Sequence, residues 1–138
     1  MGNKLDHIGI FVEDLDAGIE FYKTVLGVSD PIIREVPELS LKLAFFAEQG
    51  GEIIELVSTT GQTELTQGDV VVALEVEDLD AELARYAAAG IKVYDQKPTE
   101  NLPLRRGWVT KADGRNTIIE LCPKGDVRRF VMGDGAAA

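Results

Sequence analysis

The sequence predicts an α+β fold: two strand–helix–strand–strand–strand modules, related by a pseudo-two-fold axis, forming one eight-stranded cup with helices outside. Three observations predict it. The hexapeptide VEDLDA stands at Val12–Ala17 and recurs unchanged at Val76–Ala81. The tetrapeptide IIEL stands at Ile53–Leu56 and recurs at Ile118–Leu121. Val12 to Val76 is an offset of 64 and Ile53 to Ile118 one of 65, so both echoes share a register and mark an internal duplication.

The first copy opens with LDHIGIFV, which alternates and is rich in β-branched and aromatic residues, a strand pattern. Asp14 is a good N-cap for a helix carrying Leu15, Ile19, Tyr22 and Leu26 at helical spacing, and Gly27 supplies the left-handed stop. PIIREV, LKLAFFA and GEIIELV then read as three strands, with a hairpin turn at Gln49, Gly50 and Gly51 between the last two. The second copy keeps that order. VVVALEV is its opening strand, Asp78 its cap, Leu79, Leu83, Tyr86 and Ala87 its apolar stripe, and Gly90 its stop. KVYDQ, GWVTKA and NTIIELC follow as strands, with Asp113 and Gly114 in the last turn.

One domain over residues 1–124 is therefore expected, with module one at about 4–58, a polar linker at about 59–68 and module two at about 69–123. Residues 125–138, ending in GDGAAA, read as a frayed tail. One helix covers only one face of each small sheet. The other face must meet its copy or a ligand, so the two sheets curl into a cup.

Composition narrows the partners. Fourteen Lys and Arg against 24 Asp and Glu give a formal charge of −10, which repels phosphate backbones and argues against nucleic acid. No apolar run approaches the roughly 18 residues of a membrane span, and MGNKLDHIGI lacks the pattern of a secretory signal. Cys122 is the only cysteine, which excludes an internal disulfide and fits a reducing, cytoplasmic compartment. Basic residues cluster at Arg105 and Arg106, with Lys111 and Arg115 behind and Arg128 and Arg129 near the end. They read as a solvated face or as an anchor for an anionic substrate.

Side chains alternate along a strand, so parity assigns faces. Ile8, Ile10 and Val12 belong under the helix, which sends His7, Gly9 and Phe11 into the cup. The same rule turns Ile53, Glu55 and Val57 inward, and likewise Ile118, Glu120 and Cys122. The opening strand of the second copy offers Val71, Ala73 and Glu75. Glu55 and Glu120 are thus repeat mates facing one cavity. Two carboxylates in a partly dry pocket require either that one be protonated or that a cation sit between them. Taken alone, a histidine opening a strand is a polar edge residue and a strand glutamate faces solvent; the shared register is what draws these three together. Cys122 reads as small apolar filler, since no second His exists to activate it.

The wording LDHIGIFVEDLD with FYKTVLG, the paired IIEL strands and ALEVEDLDAELARYAAAG resembles the vicinal oxygen chelate superfamily of glyoxalases, bleomycin-resistance proteins and dioxygenases, over roughly residues 4–124. Within it, REVPE and LKLAFF are closest to methylmalonyl-CoA epimerase. The resemblance implies a metal site drawn from the first and last strand of each copy: His7, Glu55 and Glu120. It implies a divalent ion (Mn, Co, Ni, Mg or Zn), with Glu120 or Glu55 doubling as base; the inward-facing Phe11, Val71, Ala73 and Glu75, with Trp108 as stacking surface, are the expected substrate pocket. A small-molecule substrate is implied, and the cup closes either within one chain or across a homodimer. Two departures matter. Val71 stands where metal-binding relatives carry a second His, and the chain has one His in all, which excludes a two-His iron triad. The third strand of the first copy offers Lys42 and Leu43 where epimerases carry a basic carboxylate. The expected activity is a metal-assisted isomerase or lyase that abstracts a proton next to a carbonyl. The alternative is a binding protein that sequesters a small molecule over a degraded metal site.

Overall fold

The computed structural model describes residues 2–47 and 51–133. Strand β1 (Lys4–Phe11), helix α1 (Leu15–Leu26) and strands β2 (Ile32–Val36), β3 (Leu41–Ala47) and β4 (Ile53–Thr59) make the first module. Strand β5 (Val70–Val76), helix α2 (Leu79–Ala88) and strands β6 (Tyr94–Gln96), β7 (Arg106–Val109) and β8 (Ile118–Pro123) make the second, and helix α3 (Asp126–Met132) follows. The eight strands form one sheet in the order β2-β3-β4-β1-β5-β8-β7-β6. Its centre is the antiparallel pair β1 and β5, in which His7 lies opposite Ala73 and Gly9 opposite Val71. Val71 is the repeat mate of His7 and Ala73 that of Gly9, so the duplication maps one pair onto the other. That is the pseudo-two-fold axis, and it runs between the two opening strands.

The same local rules start both helices. Asp14 and Asp78 hold extended backbone and accept hydrogen bonds from the amides of Ala17 and Ala81, each at 3.1 Å. Gly27, at φ +69°, ends α1 in the left-handed conformation that a side chain would strain. Leu15, Ile19 and Tyr22 cover Val12, Ala44, Phe46 and Leu56, while Leu79, Leu83 and Tyr86 cover Val76 and Leu121. Leu26 and Ala87, expected in those stripes, are exposed at the helix ends. No described helix is long and apolar enough to cross a membrane.

Inside the cup, Val36, Leu43, Phe45 and Ile53 of the first module meet Ala73 and Cys122 of the second. Leu102, Leu104, Val127 and Val131 complete that cluster. Residues Asp126–Met132, expected as part of a tail, therefore form a packed helix instead. Val127 and Val131 are four residues apart on one face of α3, and that face fills the concave side of the sheet. Phe130 meets Phe45 edge-on at 6.2 Å between ring centres. Residues 134–138, and the Gln49 and Gly50 of the expected hairpin turn, lie outside the described residues. Strand β7 is shorter than GWVTKA suggests, because the chain from Thr110 curls into turns closed by Gly114 N to Thr110 O at 2.8 Å and Asn116 N to Lys111 O at 2.9 Å.

Candidate functional site

Strand register, rather than loop conformation, assembles the polar cluster in the cup. Gly9 is paired with Glu55 in the parallel ladder of β1 and β4, and Ala73 with Glu120 in that of β5 and β8. Each glutamate thus has a small neighbour on the adjoining opening strand. A β-carbon at Gly9 would stand 3.3 Å from Val71 Cβ, a tight approach, and 3.4 Å from Glu55 Oε1, an ordinary contact, so it is chiefly Val71 across the ladder that the bare backbone accommodates. His7, Glu55 and Glu120 are all buried, and His7 Nε2 lies 3.3 Å from Glu55 Oε1 and 3.2 Å from Glu120 Oε1. The three residues assigned by parity and repeat are brought together.

Asp6 is a fourth member that parity turns away. The ladder between β1 and β5 shifts register between Leu5 and His7, and such a bulge re-aims a side chain. The Asp6 carboxylate stands 2.7 Å from His7 Nδ1. With a metal bound, an Nδ1–H donated to Asp6 would leave the Nε2 lone pair facing the two glutamates; without one, a protonated Nε2 faces them.

Arg106 is the fifth member, and the basic pair in the sequence divides in two. Arg105 is partly exposed and bonds Asp80 at 2.7 Å and Asp95 at 3.0 Å. Arg106 is buried, donates from Nη1 to Glu120 Oε2 at 2.6 Å, and donates from Nη2 to Gln96 Oε1 at 3.0 Å. Gln96 Oε1 also accepts the Trp108 indole N–H at 2.5 Å, and the guanidinium carbon lies 5.0 Å from the Trp108 ring centre. Parity on β7 could have found this: Arg106 and Trp108 are two residues apart and share a face.

Burial opposes a charge on His7, but hydrogen bonding to Asp6, Glu120 and Glu55 outweighs it and pushes the pKa from 6.5 up to about 12. Burial also opposes a charge on Glu120, yet His7 and Arg106 hold its carboxyl below the usual carboxylate range. Burial pushes the Cys122 thiol up, in keeping with a packing role. Asp6, Glu55 and Glu120 thus share two basic partners in the cluster, His7 and Arg106.

The donor set fits a divalent cation on three counts. Glu120 Oε1 is fully buried and has no aligned hydrogen-bond donor, although His7 Nε2 is near. Ligand atoms about 2.1 Å from one ion stand about 3.0–3.4 Å apart, which brackets the two separations from His7 Nε2. A void of about 10 Å³, lined by His7, Glu55, Glu120 and Arg106, is close to the size of one small ion or water.

A cavity of about 300 Å³ adjoins the cluster. Glu55, Arg106 and Gln96 line it beside Phe11, Val71, Trp108, Leu43 and Ile118, and the linker residues Thr63, Glu64 and Leu65 form one wall. Phe11, Val71 and Trp108 are where the pocket was expected. Ala73 and Glu75 are not: Ala73 is sealed in the core with α3, and Glu75 lies across from Lys4 at the other end of β5. Glu120 does not line this cavity either; its carboxylate is bonded by Arg106, which does.

Comparison with known proteins agrees with this architecture. A family model described as Glyoxalase/Bleomycin resistance protein/Dioxygenase superfamily matches residues 6–106. A curated relative from Vibrio cholerae, named probable lactoylglutathione lyase, is 31% identical over 125 residues, covering 86% of this chain and 89% of the relative. The crystal structure of methylmalonyl-CoA epimerase from Mycobacterium tuberculosis matches with a TM-score of 0.69 at 26% identity, over 87% of each chain. A methylmalonyl-CoA epimerase solved with methylmalonyl-CoA and ammonium matches with a TM-score of 0.72 at 24% identity, over 91% of this chain and 96% of that one.

Proposed function

This chain belongs to the Glyoxalase/Bleomycin resistance protein/Dioxygenase superfamily, and from that premise we propose that it is a metal-assisted isomerase or lyase abstracting a proton next to a carbonyl. The observation that carries the reading is the convergence of His7, Glu55 and Glu120 on one small void at the edge of a largely apolar cavity. His7 Nε2 and the two carboxylates would hold a divalent ion, with Asp6 fixing the His7 ring. The ion would supply Lewis acidity that polarises a substrate carbonyl and acidifies the neighbouring C–H.

Between the two glutamates, geometry favours Glu55 as the proton acceptor. Glu55 lines the cavity, whereas Glu120 is the more deeply buried of the two and bound on one oxygen by Arg106. This reverses the order expected from the sequence, where Glu120 came first. Leu43, buried on the cavity wall, gives no carboxylate on the third strand. A single base then removes and returns the proton on one face, so exchange without inversion is the expected chemistry.

The test is exchange of the proton next to the carbonyl with solvent in D₂O, followed by proton NMR on acyl thioesters, including methylmalonyl-CoA, and on 2-oxo compounds. Exchange should require added Mn, Co, Ni, Mg or Zn, and should fall about a hundredfold or more in Glu55→Gln. Tight, metal-free ligand binding with no exchange above buffer would overturn the reading and leave the sequestering protein, which Val71 at the site of a second His favours.

A further inference from the structure

The two modules carry matching crevices on their outer faces, each between the end of the helix and the last hairpin. In the second module it is a cavity of about 310 Å³, with apolar surface from Ala89, Ile91, Val109 and Ile119 and two cations, Arg85 and Arg115. In the first it is a cavity of about 450 Å³ on Leu26, Phe46 and Ile54. Counting from the paired glutamates, Phe46 corresponds to Val109 and Ile54 to Ile119. The charges do not correspond. Among its described residues the first crevice carries Asp30 and Glu52 and no cation, whereas the second sets a single acid, Asp113, against the two arginines.

Arg115 is the cation to explain. Arg85 is held by Glu82 at 2.7 Å. Of the basic residues that cluster in the sequence, Arg105, Arg106, Lys111 and Arg129 each bond a carboxylate. Arg115 is exposed and has no such partner among the described residues. Its backbone stands at φ +55° and that of Asn116 at +72°, a conformation that strains a side chain and that glycine adopts freely. The turn is pinned there by Thr117 N to Gly114 O and Asn116 N to Lys111 O, each at 2.9 Å. Counting back from the IIEL of each copy, Gly50 and Gly51 hold the places of Arg115 and Asn116 in the sequence. The first copy thus has glycine where the second accepts strain and keeps an arginine. Such an outlier points to a use for the side chain.

We propose that the outer crevice of the second module is a binding site for a small organic anion, an apolar ring or branched chain bearing one carboxylate, which Arg115 receives. The planar guanidinium matches a carboxylate, and the apolar body lies on Ile91, Val109 and Ile119. A cavity of about 310 Å³ is at the lower end of the range for small-molecule sites, which limits the body to about one ring. The site is separate from the cup, because Ile119 and Glu120 are consecutive on β8 and point to opposite faces of the sheet. It stands whether or not the cup abstracts protons.

The test is a titration of the full chain, labelled with nitrogen-15, with 4-fluorobenzoate and with its neutral amide, followed by amide NMR shifts. The acid should move Gly114, Arg115 and Ile119 saturably, leave Gly9 and Phe11 of the cup in place, and bind about tenfold more tightly than the amide. Arg115→Gly should bring that ratio to about one while raising the urea midpoint, because glycine takes the left-handed turn without strain. Arg115→Lys keeps the charge but not the planar fork, so it should retain only part of the preference. A raised midpoint with an unchanged ratio would make Arg115 a feature of the turn alone and overturn the proposal. Shifts confined to Gly9 and Phe11, or no saturable shift, would overturn it too. So would inorganic phosphate binding as tightly as 4-fluorobenzoate, since the apolar surface would then contribute nothing.

Discussion

The two modules share a backbone plan and a carboxylate, and they differ in where each places its cation. In the first, Glu55 is flanked by Gly9 and Phe45; in the second, Glu120 is flanked by Ala73 and Trp108. Counting from those pairs, His7 corresponds to Val71 and Leu43 to Arg106. The first module offers a basic group from its opening strand and a leucine from its third. The second offers a valine and an arginine at the same places. Register holds the carboxylates in step because moving either one means slipping a whole ladder. Inward side chains on the opening and third strands can change without disturbing it. The chemistry of the cup is therefore to be found where the copies disagree.

The largest expected effect breaks the Arg106 and Glu120 pair. Removing one partner of a buried ion pair leaves an uncompensated charge, so Arg106→Leu and Glu120→Leu should each lower stability by about 3–5 kcal/mol. The double variant should recover most of that loss, because two apolar side chains of suitable volume replace the pair. Urea unfolding of the four proteins gives the coupling. Additive losses would mean that the two side chains, 2.6 Å apart, are not energetically linked, and the second module would have no cation of its own.

The next effect is on the ion. His7→Ala should weaken divalent-cation binding about a hundredfold or more, whereas Val71→His should tighten it about tenfold by giving the second module an imidazole like that of the first. Val71 already faces the cavity, opposite Gly9. Calorimetric titration of the three proteins decides, and equal affinities for Val71→His and the parent would show that the symmetry does not reach the ion.

The disagreement between copies also governs what the sequence makes legible. Repeat register and strand parity suffice for His7, Glu55 and Glu120, because regular strands obey both rules. Asp6 escapes because a bulge breaks parity. Arg106 escapes because β7 begins one residue before the expected GWVTKA segment, and because two adjacent arginines resemble a solvated face until the strand separates them. Helix α3 lies outside the repeat, so no register places it, and its two buried valines sit among charged residues. The α1 and α2 modules, with their caps and stripes, follow from local pattern alone.

Protonation of His7 offers a further probe of the first module. Its folded pKa, about 12, is above the ordinary 6.5, so its contribution to stability is complete below pH 6.5 and is lost as pH rises toward 12. The metal-free parent should therefore lose part of its stability advantage over His7→Gln as pH rises from about 6.5 to about 10, the remainder going only as pH approaches 12. A divalent ion replaces that proton, so saturating metal should flatten the dependence. A pH-independent difference between the two proteins, followed by urea midpoints, would mean that His7 is neutral in the fold.

The smallest effect serves as the control, because it tests a feature on which the copies agree. Asp14 and Asp78 occupy repeat-related N-caps and accept from Ala17 and Ala81 at the same 3.1 Å. Each substitution by alanine removes one side-chain acceptor from the first turn of a helix and should cost about 1 kcal/mol. Neither aspartate touches the polar cluster, so ion affinity and proton exchange should stay at parental values. The two caps lie on different helices with separate packing clusters, so the double variant should lose the sum of the two. Thermal unfolding of the three variants measures this. If one cap cost several times the other, the helix starts of the two modules would be unequal in energy despite equal geometry, and the site alone could no longer be taken as the place where the copies part.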